Sequence, residues 1–258
     1  MDSVAKPPPV PRAQWLRGFR AVRQLIANPD DIEKAQDFGF YIGHRDEERR
    51  FQRFVSSVEG QQLLREGTSL LSALADRAAL AELPPDSLGR AYLVYLEENG
   101  FAPESLQVLR RSAQARWERS EDAPPLDPTR AWFRDRAVLC HDLFHVATGY
   151  GTDHVGEATL LIFCAAEMRS RATALLALGA FLEVWRSAGR GWLVYAYRAW
   201  KRGRGAKHLV AQPWEKLLSL PLDQVRGTTA VGAPTAAHPG GILAGSRDEA
   251  GVIRIVNR

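Results

Sequence analysis

Along most of the chain, apolar residues recur at the three-and-four spacing of helices. In QWLRGFRAVRQLIAN they fall at Trp15, Leu16, Phe19, Val22, Leu25 and Ile26. Arg12, Arg17, Arg20 and Arg23 take much of the remainder. Asn28-Pro29-Asp30-Asp31 predicts a helix start, since Asn caps, Pro suits the first turn and the acids favour the dipole; the helix continues through Phe40. Residues 51–80 predict one or two helices broken near Gly60 and Gly67. After Pro84-Pro85, Asp86 or Ser87 caps a helix that buries Leu88, Ala91, Tyr92, Tyr95 and Leu96 and stops at Asn99-Gly100. Further helices are expected at about 104–119, from Asp127-Pro128, at about 156–185, at 190–202 and at 213–220. No alternating strand pattern of useful length and no repeat interrupts them. The expected fold is all-α, a single-domain helical bundle.

The two ends read differently. Residues 1–13 form a Pro-rich segment expected to be disordered, because consecutive prolines exclude a regular helix. Residues 228–258 form a Gly/Ala-rich tail, expected to be largely without structure and closed by a short apolar piece, Val252 to Val256. The helical body is 14–227. With 45% apolar residues the chain is no wholly disordered protein. No stretch reaches the roughly 18–20 apolar residues that span a bilayer. The N-terminus has neither the apolar core of a signal peptide nor an Arg/Ser-rich amphipathic run. Two cysteines, Cys140 and Cys164, cannot build a disulfide framework and suit a reducing compartment.

Chemistry concentrates in HDLFHVATGYGTDHVGE, His141 to Glu157. His141 and His145 are one helical turn apart, so their rings leave one face and can meet one divalent ion. Asp142 is placed to join as a ligand or to orient a ring. The Gly149–Gly151 turn breaks the helix, and the eleven residues between His145 and Glu157 suffice to bring that carboxylate back. Two imidazoles and two carboxylates suit Zn, Fe, Mn or Co. Asp153 reads as a helix cap, His154 as a solvent-facing loop residue, Cys140 as a small buried group and Glu167 as a buried carboxylate of unknown partner.

These residues resemble the coenzyme Q (ubiquinone) biosynthesis protein 4 family, whose signature is H-D-x-x-H, eleven residues, then E. His141, Asp142, His145 and Glu157 match it without a gap. ANPDD near residue 30, SLGRAYLVYLEENGFAPES at 87–105 and PWEKLLSLPLDQVR at 213–226 extend the similarity over about 14–230. One departure stands out: the family often has two arginines two residues apart before the motif, and here Arg136 is followed by Val138. Arg134 or Arg130 would have to compensate if that arginine holds an anionic group. The resemblance implies a bundle with an apolar lipid-binding channel, and a divalent metal on the four motif residues. Zinc is the first choice, with iron, manganese, cobalt or magnesium as alternatives. It implies catalysis by those four residues of an oxidative decarboxylation, in which the C1 carboxyl of a polyprenylated 4-hydroxybenzoate is replaced by hydroxyl, with oxygen supplying the new group. Other ubiquinone-biosynthesis enzymes are the implied partners, and a homodimer is a candidate assembly. Two alternatives stand beside this: a non-catalytic lipid-binding scaffold organising a quinone-biosynthesis complex, and a metal-dependent isoprenoid phosphohydrolase.

Charge sharpens the location. The net charge is only +4, yet no acid occurs between Glu183 and Glu215. That interval holds Arg186, Arg190, Arg198, Lys201, Arg202, Arg204 and Lys207, interleaved with Trp185, Trp192, Tyr195, Tyr197 and Trp200. No nucleic-acid motif accompanies them, so an anionic membrane surface is the expected partner. The expected contacts for that surface or for an anionic group are Arg134, Arg136, Arg186, Arg190, Arg198, Lys201 and Arg202, with the Trp15–Ile26 helix as a possible extension. ATALLALGAFLEVW, 172–185, reads first as a buried core helix and second as a wall of a lipid channel. The expected location is cytoplasmic, peripheral on a bacterial inner membrane.

Overall fold

The structure is a computed structural model that describes residues 12–27, 37–39, 41–119, 127–249 and 252–257. The Pro-rich segment to residue 11, the Asn28–Asp31 helix start and the 120–126 loop lie outside the described residues.

The fold is helical, as the periodicity predicts. In chain order the helices are α1 (Trp15–Ala27), α2 (His44–Val55), α3 (Val58–Glu66), α4 (Leu70–Ala75), α5 (Arg77–Glu82), α6 (Leu88–Asn99) and α7 (Pro103–Glu118). They continue as α8 (Pro128–Thr148), α9 (His154–Met168), α10 (Arg171–Ala188) and α11 (Arg190–Gly205), then a 3-10 turn at Leu209–Ala211. Short helices α12 (Trp214–Leu217), α13 (Leu222–Thr228) and α14 (Pro234–Ala237) lead to strands β1 (Leu243–Arg247) and β2 (Ile253–Asn257). Helix starts follow local chemistry: the side chains of Ser57, Ser87, Asp127 and Asp153 each accept from a main-chain N–H in the first turn of α3, α6, α8 and α9. The break expected near Gly60 comes earlier, at Ser56–Ser57, and Gly60 lies inside α3.

Two helices organise the core. Helix α8 packs against α4, α6, α7 and α13. Helix α9 is covered by α10, α11 and β1, and most of its residues are buried. The chain around Leu218–Leu222 crosses the start of α6, with Leu88 N–H donating to Leu220 O and Leu222 N–H to Asp86 O.

Three expectations are corrected. The single apolar helix at 156–185 is two helices. Arg169 adopts a left-handed backbone (φ 53°) and Ser170 caps α10, while the Asp46 carboxylate on α2 accepts from Arg171 and Ala172 N–H. Nor is the 172–185 stretch buried core: small Ala172 and Ala177, with Val184, face inward, and Leu175, Leu178 and Leu182 face out. The stretch after Arg226 is ordered structure rather than a tail. Strands β1 and β2 pair antiparallel with Gly245 opposite Ile255, and Val231, His238, Ala244 and Ile253 are buried. A handful of anchors suffices to order a segment whose composition reads as loop.

Candidate metal centre

Helix α8 ends beside the start of α9, and the site forms where they meet. His145 lies in the last turn of α8, which Gly149 closes at φ 80° with its N–H donating to His145 O. Asp153 then caps α9, accepting from Gly156 N–H at 3.1 Å, which sets Glu157 in the first turn. Gly156 is required there, because a Cβ would stand 2.1 Å from Gly151 O. His154 is the first residue of α9 and half-buried, not a loop residue.

Three predicted ligands converge. Nitrogens of His141 and His145 and a Glu157 carboxylate oxygen all lie within 4.8 Å of one another. His145 Nε2 is 3.1 Å from Glu157 Oε1, and His141 Nε2 is 3.9 Å from Glu157 Oε2. The two rings sit edge to face, 4.8 Å apart. His145 is buried, whereas His141 and Glu157 are each 40% exposed in their side chains, so the cluster opens to solvent on one side.

The surroundings orient these groups. His145 Nδ1 is 3.0 Å from Tyr150 O, so a proton on Nδ1 donates to that carbonyl and leaves Nε2 facing Glu157. Asp142 is buried and stands outside the three-way cluster, with Oδ1 3.8 Å from His141 Nδ1 and accepting from Tyr95 O–H at 3.3 Å. Asp142 thus stands against the His141 ring rather than among the three converging groups. Burial pushes the His141 pKa down, but Asp142 and Glu157 outweigh it and the net shift is upward. Burial likewise raises Glu157, and His145 and His141 reverse this to a net lowering. Tyr95 was legible only as a buried helix position, yet its ring stacks on His145 at 5.7 Å. An open cleft beside His145 is lined by Ala91, Val94, Tyr95, Asn99, Thr152 and Leu222. The arrangement offers two imidazoles and one carboxylate to an ion, with a solvent-facing side on which another ligand would bind.

The arginines divide into two sets. Arg136 is buried and its donors are committed: Nε to Val210 O, Nη2 to Gln212 O, and Nη1 to Glu215 Oε1 at 2.6 Å. Arg202 is buried too, donating to Val231 O, Thr148 O and Gly232 O. Neither reaches a membrane or an added anion, which corrects the sequence expectation. Arg134 donates to Gln114 Oε1 and pairs with Glu47, and Arg130 is clamped by Glu48 and Asp127. Arg186, Arg190, Arg198 and Lys201 are exposed. Leu175, Leu178 and Leu182 of α10 and Leu193, Val194, Tyr197 and Trp200 of α11 are exposed as well. Trp192 and Tyr195 belong instead to the core. On α1 the large residues Trp15, Leu16 and Phe19 are exposed, while small Ala21 packs with Phe38 and Ala172. Cys140 and Cys164 are buried, with their thiols pushed above the ordinary range by burial. Glu167 accepts from Leu209 N–H, and burial raises its pKa. Among the described residues no helix is long and apolar enough to cross a membrane.

The sequence profile of the family described as coenzyme Q (ubiquinone) biosynthesis protein Coq4 matches residues 21–234. The mitochondrial ubiquinone biosynthesis protein COQ4 of Eremothecium gossypii is 30% identical over 182 residues, 70% of this chain and 52% of that protein. The Komagataella phaffii protein of the same name is 27% identical over 184 residues, covering 70% of this chain and 56% of its own length. The chain thus spans about half the length of the curated relatives it matches. A crystal structure of a Nostoc punctiforme protein named for ubiquinone biosynthesis shares the fold, with a TM-score of 0.59 at 17% identity over 86% of this chain and 100% of that one. With four-fifths of its length under the family profile, this chain belongs to the coenzyme Q (ubiquinone) biosynthesis protein Coq4 family.

Proposed function

We propose that the chain is a metal-dependent enzyme of ubiquinone synthesis, which replaces the C1 carboxyl of a polyprenylated 4-hydroxybenzoate by hydroxyl. The observation that carries the metal part is the convergence of His141, His145 and Glu157, with His145 Nδ1 tied to a main-chain carbonyl so that Nε2 faces the carboxylate. These residues fit a divalent ion of the zinc or iron type, because they give a mixed nitrogen–oxygen donor set with one side open. A divalent ion held there would supply Lewis-acid stabilisation of negative charge as the ring–carboxyl bond breaks. The carboxyl would leave as CO2 with its bonding pair on the ring. One atom of molecular oxygen would become the new hydroxyl and the other would leave as water, which takes two electrons from a reductant outside the chain. Within the chain, Asp142 holds the His141 ring, Tyr95 covers one face of His145, and Ala91, Val94 and Leu222 give the cleft an apolar edge for the start of a prenyl tail. The apolar channel of the family is part of this proposal.

The exposed leucines of α10, with Tyr197, Trp200 and the bases of α11, support a peripheral seat on an anionic membrane. The curated relatives above are named as mitochondrial, so the same seat would be sought on a mitochondrial membrane as well as a bacterial one. The same surface favours a second reading, a lipid-binding scaffold for neighbouring quinone enzymes or a second copy.

The test is quinone production in cells that depend on this chain. His145→Ala is expected to abolish it and to leave a carboxylated prenyl intermediate, read by mass spectrometry. Normal quinone levels with that variant would refute the catalytic reading and favour the scaffold.

A further inference from the structure

We infer that the segment 234–245 is a brace for the turn between α8 and α9, in which His238 and the Tyr150 hydroxyl act as positioning residues for His145. The inference rests on the metal reading proposed above.

The need for a brace follows from the backbone. The ring of His145 is oriented by the carbonyl of Tyr150, 3.0 Å away. That carbonyl sits in the stretch Gly149-Tyr150-Gly151, where two glycines leave the chain its widest conformational freedom. Left to itself, such a turn would sample many carbonyl directions, and the imidazole would follow. Something outside the turn has to hold Tyr150.

The structure supplies it. Tyr150 is buried with its ring against Phe163 and Tyr195, each 6.4 Å away edge-on. Its hydroxyl is 2.8 Å from His238 Nε2, across 88 residues of sequence. His238 lies flat on Tyr195, with ring centroids 4.1 Å apart. The same segment touches both ends of the turn. At its start, a Cβ on Gly149 would come within 2.9 Å of Pro234 Cγ. At its end, Gly245 N–H donates at 2.6 Å to Asp153 Oδ1, the carboxylate that caps the helix carrying Glu157. Arg202 ties the residues just before each stretch together, giving one hydrogen bond to Thr148 O and two to the carbonyls of Val231 and Gly232.

His238 also bears a cost. Its Nδ1 is buried with no hydrogen-bond partner among the described residues. An unsatisfied buried polar atom is unfavourable, and a phenylalanine would stack on Tyr195 without one. What the imidazole adds over phenylalanine is the link to the Tyr150 hydroxyl.

The experiment titrates the full chain with Co(II), read by its ligand-field absorption, and with Zn(II) against a competing chelator. Tyr150→Phe deletes one oxygen and keeps the carbonyl that His145 uses. His238→Phe keeps the stacking. Each is expected to weaken metal binding about 10-fold, the low end of the range for outer partners of a ligand, and to change the Co(II) spectrum. Tyr150→Phe also removes the hydroxyl's contact with Arg202, so the double variant should be no weaker than Tyr150→Phe alone. A core truncation far from the turn, Leu74→Ala, should lower thermal stability and leave metal affinity unchanged. Affinity and spectrum within twofold of wild type in both Tyr150→Phe and His238→Phe would overturn the brace alone. Absence of Co(II) and Zn(II) binding by the wild-type chain would overturn the metal reading and the brace with it.

Discussion

Arg136 offers the sharpest test, because sequence and structure assign it different work. As a free cation it would serve an anionic ligand; in the structure it fastens α8 to the 209–215 stretch. Its guanidinium is buried, shares two contacts with Glu215 (2.6 and 3.1 Å), serves the carbonyls of Val210 and Gln212, and lies 5.6 Å over the Trp132 ring. Methionine at this position would keep much of the volume and remove every donor. Stripping one partner from a buried ion pair costs about 3–5 kcal/mol, because the other charge is left without compensation. For a chain of this size, each kcal/mol moves the melting point by about 2–4 °C. Arg136→Met is therefore expected to lower it by roughly 6–20 °C. Urea unfolding followed by tryptophan fluorescence should give the matching free-energy loss. Adding Glu215→Gln relieves the stranded carboxylate and should return about 1–3 kcal/mol. Metal affinity should not move, since none of these contacts reaches His141, His145 or Glu157. A loss below about 1 kcal/mol, or a large fall in metal or ligand affinity at full stability, would refute the structural assignment and restore the anion-binding one.

Acid should unfold the protein through its buried histidines. Burial, the largest influence on each, lowers His44 to about 4, His208 to about 3 and His238 to about 4 from the ordinary 6.5. A depressed folded value means the unfolded chain binds protons first, so this stability is complete above pH 6.5 and is lost as pH falls toward 4. Glu167 opposes the trend, since burial raises it. Unfolding near pH 5 should take up about two to three protons, measured from the slope of stability against pH; a flat profile from 6.5 to 4.5 would contradict the burial of these rings. On vesicles, Leu178→Glu with Leu182→Glu should weaken binding to anionic lipid, and added salt should weaken the wild type, as flotation would show. Wild-type protein that fails to float at low salt would remove the membrane seat.

Much of the centre was legible because it is local. The one-turn spacing of His141 and His145, the glycine turn and the caps at Asp127 and Asp153 are written within a few residues, and the structure keeps them. What escaped depends on distant partners. Periodicity marks the apolar stripes of α1 and α10 but not which way they face; there the small residues Ala21, Ala172 and Ala177 seek the close contacts and leave the large ones outside. The helix break at Arg169 is held by Asp46, which accepts from Arg171 N–H 125 residues later, and Arg136 finds Glu215, 79 residues later. Composition made the last segment look like a tail, although its order needs only a few buried side chains and one hairpin.

The span between Tyr150 and His238 also sets a schedule. A ribosome adds about 5–20 residues per second, so the 88 residues between them take roughly 4–18 s to synthesise. Once Glu157 is added, seven residues after Tyr150, both histidines, the turn and that carboxylate exist, but His238 does not. An ion captured early would meet ligands on a loose hinge, and firm loading would have to wait for late translation.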